Sequence, residues 1–143
     1  RGVMIEQGDV VVGMDGEFRP YLWSGEKAWM NQRICKFVPK KDLSSSFIIE
    51  TLREQLKFIE LTEVATTVIH LSKSDIDKFI ILEGNNGVRK LFDKICKPIE
   101  KKIISNSFEN RNLRKIKEIL SPKLISGKLN INNFKDKINE VRV

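Results

Sequence analysis

Residues 83–87 divide the chain into two parts that differ in charge and in residue pattern. The segment reads Glu-Gly-Asn-Asn-Gly, a polar, glycine-rich break typical of a boundary between structural units. Residues 1–87 carry 11 Lys/Arg against 13 Asp/Glu, whereas residues 88–143 carry 15 against 6. The net charge therefore changes from −2 to +9, which predicts two unlike parts.

The second part predicts one long helix. Its apolar residues recur every three or four positions in an otherwise strongly basic segment: Val88, Phe92, Ile95, Ile99, Ile103, Leu113, Ile116 and Leu120. We expect residues 84–87 to be a linker and 88–129 to be a helix whose apolar stripe pairs as a coiled coil. Pro98 should kink or divide it, Pro122 should mark its end, and Gly127 should cap it. The polar tail, 130–143, is expected to be weakly ordered.

The first part predicts a β-meander followed by short helices. Val10 to Val12 favours a buried strand, and Asp15-Gly16 is a dipeptide of two-residue hairpin turns. Tyr21 to Trp23 would be the return strand and Trp29 to Val38 a further strand. A helix should follow Ser44 to Ser46, with four apolar residues at helical spacing: Ile48, Leu52, Leu56 and Ile59.

Three shorter elements should complete this part. Residues 66–69 look extended, and Ser72 with Asp75 forms an acidic capping box that should start a short helical turn. Residues 79–82 should form a last strand. The fold class is therefore α+β: a mixed or antiparallel, β-rich domain over residues 1–83, followed by a long helix.

Composition narrows the function classes. The 143 residues suffice for one hydrophobic core, and no apolar run approaches the roughly 20 residues of a membrane-spanning helix. The amino end lacks the apolar stretch of a secretory signal, so we expect a cytoplasmic protein with no membrane partner. Cys35 and Cys96 lack metal-ligand spacing and should be reduced. The sequence begins at Arg1, without an initiator methionine and almost directly on a predicted strand, so we expect a fragment whose first domain is truncated at its start.

Two groups of polar residues could carry chemistry. Asp9, Asp15 and Glu17 loosely imitate the converging carboxylates of a metal-dependent nuclease, although the turn explains them more simply. That turn should carry Phe18 and Arg19 outward, a surface suited to nucleic acid. The run Asn31-Gln32-Arg33 has side chains that pair with adenine or guanine edges, but it also fits a solvated strand face.

Four motifs in order resemble the target recognition domain of type I restriction-modification specificity subunits. They are Gly8 to Glu17, Trp29 to Ile34, Thr66 to Ile76, and a closing pair formed by Asn112-Leu113-Arg114 and Leu120 to Leu129, with Ser121 where a second leucine is common. The resemblance extends from Gly8 to Ile131.

The resemblance implies a subunit that recognises DNA without catalysis. Two DNA-reading domains would each be followed by a spacer helix, and the helices would pack antiparallel and dock methyltransferase subunits. This chain would be one half, reading one half of a split double-stranded site. S-adenosylmethionine, ATP and Mg²⁺ would be bound by the methyltransferase and restriction subunits, with no cofactor in this chain. The candidate DNA contacts are Arg19, Lys27, Asn31, Arg33, Thr67, His70 and Lys73.

Two alternatives stay open at this point. One is a Mg²⁺-dependent nuclease that uses Asp9, Asp15 and Glu17. The other is a coiled-coil scaffold that never contacts DNA. The slightly acidic balance of residues 1–87 leaves open whether the basic face of the helix meets DNA or protein.

Overall fold

A computed structural model describes residues 2–38, 43–62, 68–82 and 84–129. The strands are β1 (Met4–Ile5), β2 (Val10–Gly13), β3 (Pro20–Leu22), β4 (Ala28–Trp29) and β5 (Ile34–Phe37). The helices are α1 (Ser45–Thr62), α2 (Lys73–Ile76) and α3 (Asn86–Ile125). Antiparallel sheets followed by a long helix confirm the α+β class.

The core forms where β2 meets α1. β2 is the central strand of a three-stranded antiparallel sheet in the order β3-β2-β5, and β1 pairs with β4 in a separate two-stranded sheet. Val10 and Val12 pack with Ile48, Leu52 and Leu56, the predicted apolar face of α1. Burial of these side chains from water stabilises the domain and fixes the position of the loops at the end of β2.

The predicted β-meander is wrong. β5 pairs with the free edge of β2, not with β3, so the middle strand of the sheet is the first of the three along the chain. The expected strand from Trp29 to Val38 is interrupted by a turn at Asn31, whose side-chain oxygen accepts a hydrogen bond from the Arg33 N–H at 2.9 Å. This turn sends β4 and β5 into different sheets.

The two-residue hairpin at Asp15-Gly16 is also wrong. A longer loop, residues 14–19, joins β2 to β3, because the backbone of Met14 bonds to residues outside the hairpin. Gly16 does adopt the positive φ, 77°, that such a turn requires. Phe18 is buried in the core, contrary to the expected outward position.

The predicted helix caps are confirmed. The Ser44 hydroxyl accepts a hydrogen bond from the Phe47 N–H at 3.3 Å at the start of α1. Ser72 and Asp75 form the capping box of α2. Gly127, with a φ of 70°, follows the end of α3 and donates its N–H to Leu124.

Residues 79–82 form no strand, because a side chain takes the place of a partner strand. The Gln55 amide accepts a hydrogen bond from the Ile80 N–H at 2.8 Å and donates one to the Ile80 carbonyl at 3.0 Å. Both backbone groups of Ile80 are therefore satisfied without a β-ladder. Val68 and Ile69 are likewise outside any strand, and residues 66 and 67 lie outside the described residues.

α3 begins at Asn86, two residues before the expected start, and it is not divided at Pro98. A proline removes one backbone hydrogen bond, and the helix continues through Pro98 despite that loss. The helix also passes Pro122 and ends at Ile125. The chain separates into two compact units between Ser107 and Phe108. The predicted tail, 130–143, lies outside the described residues.

Candidate nucleic-acid interface

Three segments that are distant in sequence meet at the end of β2. The Met14 N–H donates to the Arg33 carbonyl at 2.8 Å, and the Met14 carbonyl accepts from the Leu71 N–H at 2.8 Å. Next to them, the Gly16 N–H donates to Ile69, and Asp15 forms an isolated antiparallel bridge with His70. Residues from three of the four sequence motifs are therefore joined by backbone hydrogen bonds.

Three side chains meet above this backbone junction; we call Asp15, Arg33 and His70 the Asp15 cluster. One carboxylate oxygen of Asp15 lies 2.7 Å from Nδ1 of His70, and the other pairs with Nη1 of Arg33. The hydrogen bond from His70, followed by that from Arg33, lowers the pKa of Asp15. Asp15 is therefore ionised at neutral pH, and it holds two side chains that are 70% and 57% exposed.

The remaining predicted contact residues are distributed around this cluster. Asn31 is exposed and caps the turn that presents Arg33. Lys73 is exposed at the start of α2, three residues after His70. Arg19 is exposed in the loop after β2 and pairs with Glu17 at 2.7 Å. Lys27 pairs with Glu6 at 2.5 Å, beside the β1–β4 sheet.

Thr67 lies outside the described residues. The structure therefore brings Arg33 and His70 into direct contact with one shared carboxylate, with Asn31 at the adjacent turn. The sequence singled out Asp15 only as a turn residue or a nuclease carboxylate, and its contacts with Arg33 and His70 were missed. The feature of the sequence that could have indicated this role is the position of Asp15 within the motif from Gly8 to Glu17.

The three carboxylates of the nuclease alternative do not converge. Asp9 pairs with Lys36 at 2.6 Å and accepts the Glu6 N–H at 2.7 Å, in a partly buried position. Asp15 and Glu17 pair with other cations, as described above. Among the residues that the structure describes, no group of three or more His, Cys, Asp or Glu side chains could hold a metal ion. The geometry therefore gives the nuclease alternative no support.

The first unit holds the beginning of α3 through polar contacts. Asp93 Oδ1 accepts the Ser44 N–H at 3.0 Å, Glu100 Oε1 accepts the Ser46 N–H at 2.6 Å, and the Ser107 and Ser24 hydroxyls lie 2.9 Å apart. Asp93, Glu100 and Ser107 are spaced by seven residues and so share one face of the helix. Two of them satisfy the free N–H groups at the start of α1, where a negative charge is favourable.

Phe92 is the member of the apolar stripe that packs on the first unit, edge-on against Phe47 of α1 with ring centroids 6.3 Å apart. The other stripe residues of the first unit, Val88, Ile95, Ile99 and Ile103, are half exposed or more, and so is the neighbouring Leu91. In the second unit the stripe residues Leu113 and Ile116 and the neighbouring Ile119 are likewise half exposed or more, and Leu120 is 37% exposed. A row of exposed apolar side chains on a helix is typical of a surface that pairs with another helix.

Comparison with known proteins defines the family. Residues 3–82 match the model of the type I restriction modification DNA specificity domain, and the chain belongs to this family. The match contains every residue of the Asp15 cluster. No solved structure matches the chain significantly.

Three curated relatives are specificity subunits of type I restriction enzymes. The HindI subunit of Haemophilus influenzae is 28% identical over 69% of this chain and 22% of its own length. The EcoBI subunit of Escherichia coli is 32% identical over 56% of this chain and 17% of its own length. The MjaIX subunit of Methanocaldococcus jannaschii is 34% identical over 59% of this chain and 20% of its own length. The alignments thus span about a fifth of the length of these relatives.

None of the helices in the described part of the chain has the length and apolar character needed to cross a membrane.

Proposed function

We propose that this chain is one DNA-reading module of a type I restriction-modification specificity subunit, together with its spacer helix. The observation that carries the proposal is the Asp15 cluster. Residues from three motifs of a DNA specificity domain meet there and expose a guanidinium and an imidazole side by side. Arginine and other polar side chains read base edges by hydrogen bonding in the major groove.

The module would recognise one half of a bipartite double-stranded site without chemistry of its own. Arg33, His70 and Asn31 would contact base edges or phosphates, and Arg19, Lys27, Thr67 and Lys73 would supply further contacts. Methyl transfer from S-adenosylmethionine would belong to methyltransferase subunits, and cleavage with ATP and Mg²⁺ to restriction subunits. No cofactor would bind to this chain.

The exposed stripe of α3 would pair with a second spacer helix, from the same subunit or from another copy. Burial of half-exposed Leu and Ile side chains drives such pairing at about 25 cal/mol per Å² of apolar surface removed from water. The polar contacts of Asp93, Glu100 and Ser107 support this role, because they attach α3 to the reading module and leave most of the stripe exposed.

DNA binding is tested with labelled duplexes of randomised sequence. Arg33→Ala or Lys73→Ala should weaken binding about tenfold at low salt, since each removes a cation from the proposed interface. Lys57→Ala, on the exposed face of α1, is the matched control and should bind as wild type does. Equal affinity of all four proteins would refute the proposed interface.

Helix pairing is tested separately by sedimentation. Ile99→Glu should reduce self-association, whereas Arg33→Ala should not. If the wild-type chain self-associates but binds no duplex at any salt concentration, the scaffold alternative replaces DNA recognition.

A further inference from the structure

The two carboxylate oxygens of Asp15 contact two different side chains, those of His70 and Arg33. Oδ1 forms a hydrogen bond with Nδ1 of His70, and Oδ2 forms an ion pair with Nη1 of Arg33. The carboxylate itself is less exposed than either partner, at 26%. Backbone hydrogen bonds from Met14 and Gly16 hold Asp15 in place independently of its side chain.

The shared carboxylate determines which hydrogen-bonding groups remain for a ligand. An ionised carboxylate only accepts hydrogen bonds, so Nδ1 of His70 must carry the proton of this contact. In the neutral form of the ring, this tautomer leaves Nε2 as an acceptor. Arg33 uses Nη1 for Asp15 and keeps its other N–H groups, in a side chain that is 70% exposed.

We infer that Asp15 is a positioning residue that directs Arg33 to a guanine edge and the Nε2 acceptor of His70 to a base amino group in the same half-site. Guanine offers O6 and N7 as acceptors in the major groove, and adenine N6 and cytosine N4 offer amino donors. The half-site therefore contains a guanine next to or near an adenine or cytosine amino group. This inference rests on the proposed function.

Because Asp15 is negatively charged, a role in positioning Arg33 and His70 can be distinguished from a role in attracting DNA. A carboxylate beside DNA repels phosphates, so Asp15→Asn should increase binding to non-cognate duplex, by about twofold to tenfold at low salt. The same change leaves one neutral acceptor oxygen where two charged oxygens held Arg33 and His70, so discrimination between cognate and non-cognate duplex should fall about tenfold or more. Arg33→Ala should instead lower both quantities.

The experiment selects bound duplexes from a randomised pool with the full chain. Wild type, Asp15→Asn and Glu50→Gln are compared; the last removes one negative charge from an exposed pair with Arg53 on α1. Asp15→Asn keeps the side-chain shape and all backbone bonds, and circular dichroism checks that it folds. Nitrogen NMR of the only histidine reports which ring nitrogen carries the proton.

The outcomes separate this inference from the proposed function. The inference is supported if wild type and Glu50→Gln enrich the same guanine-containing sequence and Asp15→Asn loses preference at two positions. It is overturned, with the proposed function intact, if Asp15→Asn enriches that sequence equally well. The inference is also overturned if Nδ1 of His70 carries no proton in the wild-type chain without DNA. Failure of the wild type to enrich any sequence overturns the proposed function and this inference together.

Discussion

Asp93→Ala should destabilise the first unit, because it removes the buried carboxylate that caps α1. Ser44, whose N–H donates to Asp93, is only 1% exposed, so water does not readily replace the lost acceptor. An unsatisfied buried donor costs about 1–3 kcal/mol, and the lost charge at a helix N-terminus adds about 0.3–1 kcal/mol. The expected loss in the free energy of unfolding is the sum of the two effects, about 1–4 kcal/mol.

The effect should depend on pH with a defined sign. Burial raises the pKa of Asp93, but the hydrogen bonds from Ser44 and the charges of Lys97 and Arg89 outweigh it, so the pKa lies below its ordinary value of 3.8. A lowered native pKa stabilises the fold above the unfolded pKa, and this stabilisation is lost as the pH falls through the native pKa. The difference between wild type and Asp93→Ala should therefore be full at pH 7 and shrink below about pH 4.

Urea unfolding followed by tryptophan fluorescence measures this difference, because Trp23 and Trp29 both lie in the first unit. Glu109→Ala, an exposed change on α3, is the control and should stay within about 0.5 kcal/mol of wild type. Asp93→Asn keeps an acceptor and should lose only about 1 kcal/mol. A loss for Asp93→Ala no larger than that of the control, or one that persists unchanged at pH 2.5, would refute the capping role.

Two further changes test the core and the Gln55 contact. Leu52→Ala should cost about 2–5 kcal/mol in urea unfolding, because Leu52 is buried in the core, whereas exposed Leu61→Ala should cost less than about 0.5 kcal/mol; equal effects would contradict the core assignment. Gln55→Leu should accelerate hydrogen exchange of the Ile80 amide about tenfold or more, since it removes two hydrogen bonds. An unchanged exchange rate would show that the amide does not hold Ile80 in solution.

The sequence predicted those elements whose cause is local. Val10 to Val12, the apolar face of α1 and the Ser72 capping box all follow from residues within one or two turns or one strand. The apolar stripe of α3 could also be predicted, because the spacing of its apolar residues follows directly from the local sequence. These are the parts where propensity, pattern and caps agree.

The errors arose where distant residues decide the structure. The loop after β2 departs from a hairpin because Met14 bonds to Arg33 and Leu71, and Ile80 leaves the strand conformation because Gln55 satisfies its backbone. The Asp15 cluster could not be predicted for the same reason, since its three members come from three segments that only the folded chain brings together.

The capping of α1 by α3 also determines when the domain can be completed during synthesis. The acceptors for the N–H groups of Ser44 and Ser46 lie 49 and 54 residues further along the chain. A ribosome that has released only the region matched by the family model exposes α1 with these donors open to water. The start of the helix can be capped fully only after Glu100 has left the exit tunnel, so the nascent first unit should remain loosely formed until the first half of α3 has emerged from the ribosome.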